Sequence, residues 1–401
     1  MSPCNLKQAA VRKKVFLKND RSQNSMMERK NSLNASQDIN RLAKLYVEPT
    51  NRCNLDCRTC MRHGWEEDLG FMEFRLFEKI MADLRSFPEK PDIFLGGFGE
   101  PLGHPRIADM VALAKQSGSV VELISNGILL AEGMADRLVA AGLDRLWVSI
   151  DGASPQSYAD VRLGDHLPQI IANLEQLCEK RRLNPAKKPE LGISFVAMKR
   201  NIADLSAVLD LARRLGATYF SLSNVEPYTA AMTKEILYAR TLFEALPAEG
   251  IEMPRLDPEI KNDEALKKLA SLFPPRQSSA FLFAGRTGLC PFLQRRSASV
   301  RWDGQVGPCL PLLHAHTVCL NGHSRIWEEF HFGSLASRDL VAIWNDPAYL
   351  DFRRRLDEFS FAPCSTCNSC DLPSINGEDC FGNVHPACGG CLWSQGFIQC
   401  P

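Results

Sequence analysis

Short β-branched and apolar runs alternate with longer amphipathic stretches through the first half of the chain. The runs that predict strands are residues 43–49, 92–97, 120–126, 145–151, 191–198 and 217–224. Between them, apolar residues recur at intervals of three and four, the helical period, in residues 74–87, 104–118, 167–182 and 202–216. Six such units in a row predict an α/β fold with a parallel sheet, because each helical crossover returns the chain to the same sheet edge.

A barrel and a doubly wound open sheet both satisfy this alternation. An open sheet that binds a dinucleotide carries a Gly-rich GxGxxG turn after its first strand. Here the first strand leads instead into Asn51, Arg52 and Cys53. In either architecture ligands bind at the carboxyl ends of the strands, so this cysteine loop lies where an active site is expected.

The chain changes character on both sides of this region. Residues 1–40 are polar and basic, and we interpret them as a solvated arm before the α/β core at 41–227. Residues 228–288 combine a helical pattern with charged, proline-punctuated sequence, which predicts a connector. Residues 289–401 are rich in Gly, Pro and Cys, with one long helical pattern at 340–359. That composition is typical of a small fold that metal ligation holds together.

Composition narrows the functional classes. Of 401 residues, 45% are hydrophobic and 23% charged, as in a globular protein. Lys and Arg together number 47, as do Asp and Glu, so no excess of positive charge indicates binding to nucleic acid or a membrane surface. No apolar run has the length of a transmembrane helix, and the first residues lack the apolar segment of a secretory signal. We therefore expect a cytoplasmic protein with neither a nucleic-acid nor a membrane partner.

The cysteines fall in two groups. Of 15, three lie at Cys53, Cys57 and Cys60, and ten lie from Cys290 to Cys400. A disulfide framework is typical of small secreted domains, whereas here a long cysteine-poor segment separates the groups and no export signal is present. Metal or iron–sulfur ligation explains this distribution better.

The spacing CxxxCxxC places three thiolates in one loop. They suit three corners of a [4Fe–4S] cube, for which the usual ligand set is four cysteines. A missing fourth ligand leaves one iron open to a substrate, as in a catalytic metal site. The alternative is a zinc knuckle whose fourth ligand is distant, with His63 as the candidate.

A CxxxCxxC loop after the first strand of a βα repeat resembles the radical S-adenosylmethionine (SAM) superfamily, whose fold is a partial (β/α)6 TIM-like barrel. The sequence GGFGEP at 96–101 is similar to the family's GGE-type motif. The resemblance implies that Gly97 and Gly99 admit the backbone close to SAM and that Glu100 receives the SAM α-amino group. A carboxylate and an ammonium form strong, charge-assisted hydrogen bonds.

Other positions match the family in order along the chain. Those that follow the third and fourth strands, where relatives contact the ribose, are Ser125, Asn126, Ser149 and Asp151. Arg162 resembles the arginine that binds the SAM carboxylate, whereas Thr59 stands where relatives usually carry an aromatic residue near the adenine. The resemblance implies reductive cleavage of SAM to methionine and a 5′-deoxyadenosyl radical, with electrons from a low-potential donor of the ferredoxin or flavodoxin type.

The second cysteine group begins with Cys290, Gly304 and Cys309, spaced like the opening of the SPASM or twitch extension of such enzymes. The resemblance implies one or two auxiliary clusters, and the candidate ligands are Cys290, Cys309, Cys364, Cys367, Cys370, Cys380, Cys388 and Cys391. Cys319 and Cys400 are the expected spare thiols. A zinc ribbon is the alternative, because CxxC pairs also build zinc sites. His314 and His316, near Cys319, are alternative ligand candidates, but we expect them to be surface histidines.

Three functional hypotheses remain. Three segments of the chain resemble radical SAM/SPASM proteins associated with tungsten-containing aldehyde ferredoxin oxidoreductases. They are CNLDCRTCMR, SNVEPYTAAM and CGGCLWSQGFIQCP. That resemblance implies that the enzyme matures such an oxidoreductase or its tungstopterin cofactor. The oxidoreductase would then be its protein partner. The second hypothesis is a maturase of a ribosomally made peptide or protein, although the polar segment before Cys53 is short for a peptide-recognition module. The third is a non-catalytic iron–sulfur or zinc scaffold.

Overall fold

The structure is a computed structural model that describes residues 40–131, 133–237, 251–252, 290–320, 322–365, 367 and 370–400. The predicted arm, except for residue 40, and most of the predicted connector lie outside these ranges. Within them, no helix combines the length and apolar character that a membrane span requires.

Six parallel strands form the centre of the main sheet. They are β1 (Lys44–Val47), β2 (Asp92–Leu95), β3 (Val121–Ser125), β4 (Arg145–Ser149), β5 (Glu190–Ala197) and β6 (Tyr219–Asn224). Each strand pairs in parallel with the next one along the chain. All six predicted strands are confirmed. The short strand β7 (Ile251–Glu252) continues the sheet in parallel beside β6.

Helices join these strands and cover the outer face of the sheet. They are α1 (Phe74–Asp83), α2 (Ile107–Gln116), α3 (Met134–Ala140), α4 (Pro155–Arg162), α5 (Leu167–Leu183) and α6 (Leu205–Arg214). The four predicted helices correspond to α1, α2, α5 and α6. The helices α3 and α4 were not predicted, because they have seven and eight residues and so span too few turns to show a period. A capping box between Ser154 and Ser157 begins α4.

The C-terminal region extends the same sheet past β1. The helix α7 (Pro291–Gln294) leads into β8 (Ser297–Val300), which pairs in parallel with β1, and β9 (Gln305–Gly307) follows antiparallel. A separate hairpin is made by β10 (His316–Leu320) and β11 (His323–Trp327). The short strand β12 (Gly333–Ser334) then pairs with β9. The remaining helices are α8 (Leu340–Trp344) and α9 (Pro347–Glu358).

Side-chain alternation along the strands builds two apolar cores. In β1, Leu45 and Val47 join the core beneath the helices, whereas Tyr46 points to the inner face of the sheet. There Tyr46 packs between Phe94, with ring centroids 5.3 Å apart, and Phe292 of α7, at 5.6 Å. The C-terminal region therefore packs against the inner face of the curved sheet.

Candidate active site at the carboxyl ends of the strands

The cysteine loop follows β1 and is held in place by its own backbone contacts. All three of its thiols are free of disulfide bonds, and Cys57 is buried. The buried Asn51 anchors the loop, because its side chain donates to Asp68 O at 3.0 Å and accepts from Gly70 N at 2.7 Å. Burial raises the pKa of Cys57, and the positive charge of Arg162 opposes that shift.

An N–H donor faces each of the three sulfur atoms. The pairs are Arg62 Nε with Cys60 Sγ at 3.1 Å, Arg162 Nη1 with Cys57 Sγ at 3.6 Å, and Asn126 Nδ2 with Cys53 Sγ at 3.9 Å. Two of these donors belong to guanidinium groups, which favour thiolates. Metal ligation requires deprotonated cysteines, so the surroundings of the loop suit a cluster.

Both ring nitrogens of His63 have partners within the protein, which does not favour His63 as a zinc ligand. Its Nε2 lies 3.0 Å from Cys57 O and its Nδ1 lies 3.3 Å from Asp56 Oδ1. Its ring stacks on Tyr228, with centroids 5.9 Å apart. Among the residues that the structure describes, no three His, Cys, Asp or Glu side chains are grouped as ligands of a single metal ion.

Glu100 lies at the bottom of the site with one acceptor position left. It is only 2% exposed, and its Oε1 accepts from Leu102 N at 2.9 Å and from Ser125 Oγ at 2.8 Å. Its Oε2 accepts from Asn126 N at 2.7 Å. Burial raises the pKa of Glu100, and these three donors oppose the shift. A carboxylate offers about four acceptor positions, so one remains for a further donor.

The glycines before Glu100 allow two loops to meet. A Cβ atom on Gly99 would lie 2.5 Å from Arg52 O and closer still to Thr50 O, so no side chain fits. Glu100 N donates to the same Arg52 O at 2.7 Å. A Cβ atom on Gly97 would lie 2.6 Å from Glu48 Cγ. Contact with the cysteine loop thus requires Gly99, whereas Gly97 makes room for the side chain of Glu48. The predicted approach of both glycines to SAM remains a prediction.

Arg162, at the end of α4, pairs with Asp151 inside the site. Its Nη2 lies 2.6 Å from Asp151 Oδ2, and Asp151 Oδ1 accepts from Val196 N at 2.7 Å. Burial alone would lower the pKa of Arg162, but the charges of Asp151 and Cys57 outweigh it and raise the pKa. Ser149 is half-buried at the end of β4. The predicted ribose contacts of Asp151 and Ser149 remain predictions.

Sequence reasoning missed Tyr158, one helical turn before Arg162. Tyr158 is fully buried, and its hydroxyl is among the side-chain atoms without a hydrogen-bond partner. Burial raises its pKa to about 12, and nearby Arg162 opposes the shift. The available signal in the sequence was its position four residues before Arg162, since residues at this spacing lie on the same face of a helix.

Four C-terminal thiols line one largely apolar cavity. They are Cys290, Cys309, Cys388 and Cys391. Burial raises the pKa of Cys309 well above its usual value, and the neighbouring thiols Cys290, Cys391 and Cys388 reinforce the shift. Four convergent thiols suit an iron–sulfur cluster.

A second set of thiols is centred on Cys364, which lies near Arg325 of β11. Burial raises the pKa of Cys364 to about 11, with Cys380 and Cys367 among the neighbouring groups that contribute. Cys370 is exposed. The expected spare thiols have other contacts: Cys319 Sγ lies 4.0 Å from Ser324 Oγ, and Cys400 Sγ accepts from Trp393 Nε1 at 3.4 Å. The assignment of ligands to clusters remains a prediction.

The prediction that His314 and His316 lie on the surface is wrong, because both are buried. His314 Nε2 lies 2.9 Å from Glu48 Oε2, and His314 Nδ1 lies 2.7 Å from Glu67 Oε2. His316 Nε2 lies 3.6 Å from Glu226 Oε1. Glu48 follows β1 and Glu226 follows β6, so the histidines connect the C-terminal region to the ends of the first and sixth strands.

Comparison with known proteins identifies the family. A model of the radical SAM superfamily matches residues 47–184, and a model of the SPASM iron–sulfur cluster-binding domain matches residues 290–371. Over 361 residues the chain is 31% identical to the tungsten-containing aldehyde ferredoxin oxidoreductase cofactor-modifying protein of Pyrococcus furiosus, covering 89% of this chain and 96% of that protein. The chain belongs to the radical SAM superfamily.

Two further similarities of this radical SAM enzyme extend over both regions. It is 25% identical to the PqqA peptide cyclase of Granulibacter bethesdensis over 343 residues, which cover 84% of this chain and 81% of the cyclase. The crystal structure of Streptococcus suis SuiB bound to precursor peptide SuiA has a TM-score of 0.54 at 14% identity, covering 83% of this chain and 70% of SuiB. This likeness concerns the fold alone.

The family assignment confirms several expectations. The fold is the expected partial TIM-like barrel with a C-terminal cysteine-rich iron–sulfur domain, and the protein is an enzyme rather than a non-catalytic scaffold. Its cofactors are SAM and iron–sulfur clusters. The described residues fit them, since the loop thiols are free, Glu100 keeps one acceptor position, and the Tyr158 hydroxyl and Arg162 Nε have no hydrogen-bond partner.

Proposed function

We propose that this radical SAM enzyme modifies the tungstopterin cofactor of a tungsten-containing oxidoreductase, or matures that oxidoreductase. The observation that supports this most is the similarity to the Pyrococcus furiosus protein, which extends over 89% of this chain and so includes both cysteine-rich regions. The PqqA peptide cyclase covers nearly as much of the chain, but at 25% identity.

Cys53, Cys57 and Cys60 would hold the [4Fe–4S] cluster that binds SAM. When bound, the cluster and SAM supply a 5′-deoxyadenosyl radical that abstracts hydrogen from the substrate. Arg62 donates to Cys60 Sγ, and Arg162 donates to Cys57 Sγ. These donors stabilise the thiolate form of the ligands.

The residues that we expect to bind SAM surround this loop. Glu100 would accept the α-amino group at its remaining acceptor position. Arg162 would bind the carboxylate, and Asp151, which pairs with it, would hold the guanidinium in position. Tyr158 would donate its unpartnered hydroxyl to the carboxylate or to a cluster sulfide. The residues proposed to contact the ribose are Ser125, Asn126, Ser149 and Asp151.

The C-terminal region would complete the site and carry two auxiliary clusters. Cys290, Cys309, Cys388 and Cys391 would hold one of them, since they line one cavity. The ligands proposed for the other are Cys364, Cys367, Cys380 and, as the exposed fourth candidate, Cys370. The pairs of His314 with Glu48 and of His316 with Glu226 would cover the strand ends and exclude water from the radical.

A low-potential donor of the ferredoxin or flavodoxin type would supply the electron. The reaction would take place in the cytoplasm, with a tungsten-containing aldehyde ferredoxin oxidoreductase as the protein partner. Neither nucleic acid nor a membrane has a role in this proposal.

Co-expression tests the proposal. A tungsten-containing aldehyde ferredoxin oxidoreductase would be produced anaerobically with the wild-type enzyme, or with a variant in which Cys53, Cys57 and Cys60 are replaced by Ala. We expect the extracted pterin cofactor, or the oxidoreductase polypeptide, to differ in mass between the two preparations. Identical masses of both would refute the proposal.

The second candidate is a peptide maturase, which the 84% coverage by PqqA peptide cyclase favours. Under this alternative, SAM cleavage would be coupled to a mass change in a small precursor peptide encoded beside the enzyme. A mass change in that peptide, with the pterin and the oxidoreductase unaltered, would replace the first proposal with the second.

A further inference from the structure

Arg325 of β11 is a buried cation that forms no ion pair with a carboxylate among the described residues. It is 3% exposed, and its Nε and Nη1 atoms are buried without a hydrogen-bond partner. Its Nη2 donates to Cys367 O at 3.4 Å. Within the described ranges, the structure gives Arg325 no ion pair with any Asp or Glu. Burial of an unpaired charge is strongly unfavourable, so a negative group is expected to face it.

Arg353 of α9 is equally buried and shows how the fold otherwise accommodates such a charge. It is 2% exposed, and its guanidinium carbon lies 3.8 Å from the ring centroid of Trp344 and 4.5 Å from that of Tyr349. Its Nη2 donates to Trp344 O at 2.9 Å, whereas its Nε and Nη1, like those of Arg325, are buried without a hydrogen-bond partner. Two aromatic faces and a carbonyl thus stabilise the charge of Arg353. In the part of the chain that the structure describes, no ring takes this position over Arg325.

The thiols of Cys364 and Cys367 lie near Arg325. When they are deprotonated, as metal ligation requires, these two groups favour the charged form of Arg325. Arg325 and Cys364 line one cavity together with Gly390 and Glu378. Among the described residues, Glu378 makes no ion pair with Arg325 and is not one of the groups whose charge acts on it. A Cβ atom on Gly390 would lie 3.4 Å from Arg325 Nη1 and 3.6 Å from Cys364 Cβ, so the glycine keeps the space between guanidinium and thiol open. The unpartnered N–H groups are therefore buried beside the second set of thiols.

We propose that Arg325 is the charge partner of the iron–sulfur cluster that Cys364, Cys367 and Cys380 help to hold, and that it raises the reduction potential of that cluster. This inference rests on the second auxiliary cluster of the proposed function. A thiolate-bound cluster is negatively charged, and one-electron reduction adds one negative charge without forming or breaking a bond. Arg325 stabilises the reduced form more than the oxidised form, since net charge and hydrogen bonds to sulfur set such potentials.

The test uses the full chain, reconstituted anaerobically, with Cys53, Cys57 and Cys60 replaced by Ala to remove the signal of the N-terminal cluster. The electron paramagnetic resonance signal that disappears in Cys364→Ala identifies the cluster. Its midpoint potential is then measured by mediated titration with dithionite as the electron donor. The variants are Arg325→Met, Arg325→Lys and, as the matched control, Arg353→Met.

We expect Arg325→Met to lower the ratio of reduced to oxidised cluster at a fixed applied potential by at least about tenfold. For a one-electron couple this corresponds to a fall in the midpoint potential of about 59 mV. Arg325→Lys keeps the charge and should shift the ratio less. Arg353→Met should leave the potential of this cluster unchanged, because the aromatic pair faces that arginine. Iron and sulfide analyses of each variant accompany the titration.

The outcomes separate this inference from the proposed function. An unchanged potential in a fully loaded Arg325→Met variant overturns the role of Arg325 and leaves the auxiliary cluster in place. A parent protein without any Cys364-dependent iron–sulfur signal overturns both. If the Arg325→Met variant does not bind the cluster, the iron and sulfide contents of Arg325→Lys decide. Full cluster content in Arg325→Lys supports the role of the positive charge, and a loss equal to that in Arg325→Met overturns it.

Discussion

His314 Nε2 donates to Glu48 Oε2 across 2.9 Å, and both side chains are fully buried although they lie 266 positions apart in the chain. Burial alone would lower the pKa of His314, but Glu48 and Glu67 outweigh it and raise the pKa to about 9. Glu48 Oε1 also accepts from Phe98 N at 3.1 Å. The pair therefore joins the C-terminal region to the loop that carries Gly97 and Glu100.

This relationship predicts a pH-dependent contribution to stability. The raised pKa means that the contribution of His314 is complete below about pH 6.5 and is lost as the pH rises through about 9. His314→Gln should lower the free energy of unfolding by about 3 kcal/mol at or below pH 6.5, and the difference should shrink towards pH 9. Chemical denaturation of the anaerobically reconstituted protein at several pH values measures it. His323→Gln, at an exposed position on β11, is the control. A pH-independent difference would contradict the charged pair.

Glu100→Gln should weaken SAM binding without loss of iron. The amide keeps an acceptor but loses the charge that an ammonium requires, so affinity should fall by about tenfold to a hundredfold. Anaerobic equilibrium dialysis with labelled SAM measures the dissociation constant. Glu122→Gln is the matched control, because Glu122 is also buried but lies near the amino end of β3. Equal affinity in Glu100→Gln and wild type would place SAM elsewhere.

Tyr158→Phe should separate binding from stability. If the hydroxyl donates to bound SAM or the cluster, affinity for SAM should fall by roughly threefold to tenfold. The melting temperature of the ligand-free protein should hold or rise, since an unsatisfied buried hydroxyl is removed. Tyr349→Phe, at a buried tyrosine of α9, should leave SAM affinity unchanged. A Tyr158→Phe variant with wild-type affinity would restrict Tyr158 to a packing role.

Gly99→Ala should destabilise the protein and disturb the cysteine loop. The added methyl group would press on the backbone oxygens of Thr50 and Arg52, and overpacking of this kind costs about 1–3 kcal/mol. Thermal unfolding and iron content after reconstitution are the measurements. Gly103→Ala is the matched control, because its Cβ atom would meet only Leu129 Cδ1, at 3.9 Å. Equal stability of the two variants would contradict the close approach of the loops.

Local patterns along the chain were sufficient for the parallel βα repeat and the cysteine loop, whereas the choice of a barrel over an open sheet came from the family resemblance. The six strands follow from short β-branched and apolar runs, and four of the helices follow from a period of three to four residues, which any short window displays. The loop with Cys53, Cys57 and Cys60 and the glutamate Glu100 belong to short motifs at strand ends, where parallel topology brings such loops together. The burial of Glu100 against Ser125 and Asn126 is one consequence of that topology.

Contacts between distant segments were decided only by the tertiary structure. The pairing of β8 with β1, the burial of His314 against Glu48 and the separation of the C-terminal thiols into two sets depend on how the C-terminal region folds onto the sheet. Sequence patterns report the residues near each position, whereas the burial of a polar side chain depends on the surface that covers it. His314 has an ordinary sequence neighbourhood, and it becomes a buried cation because two carboxylates from other segments enclose it.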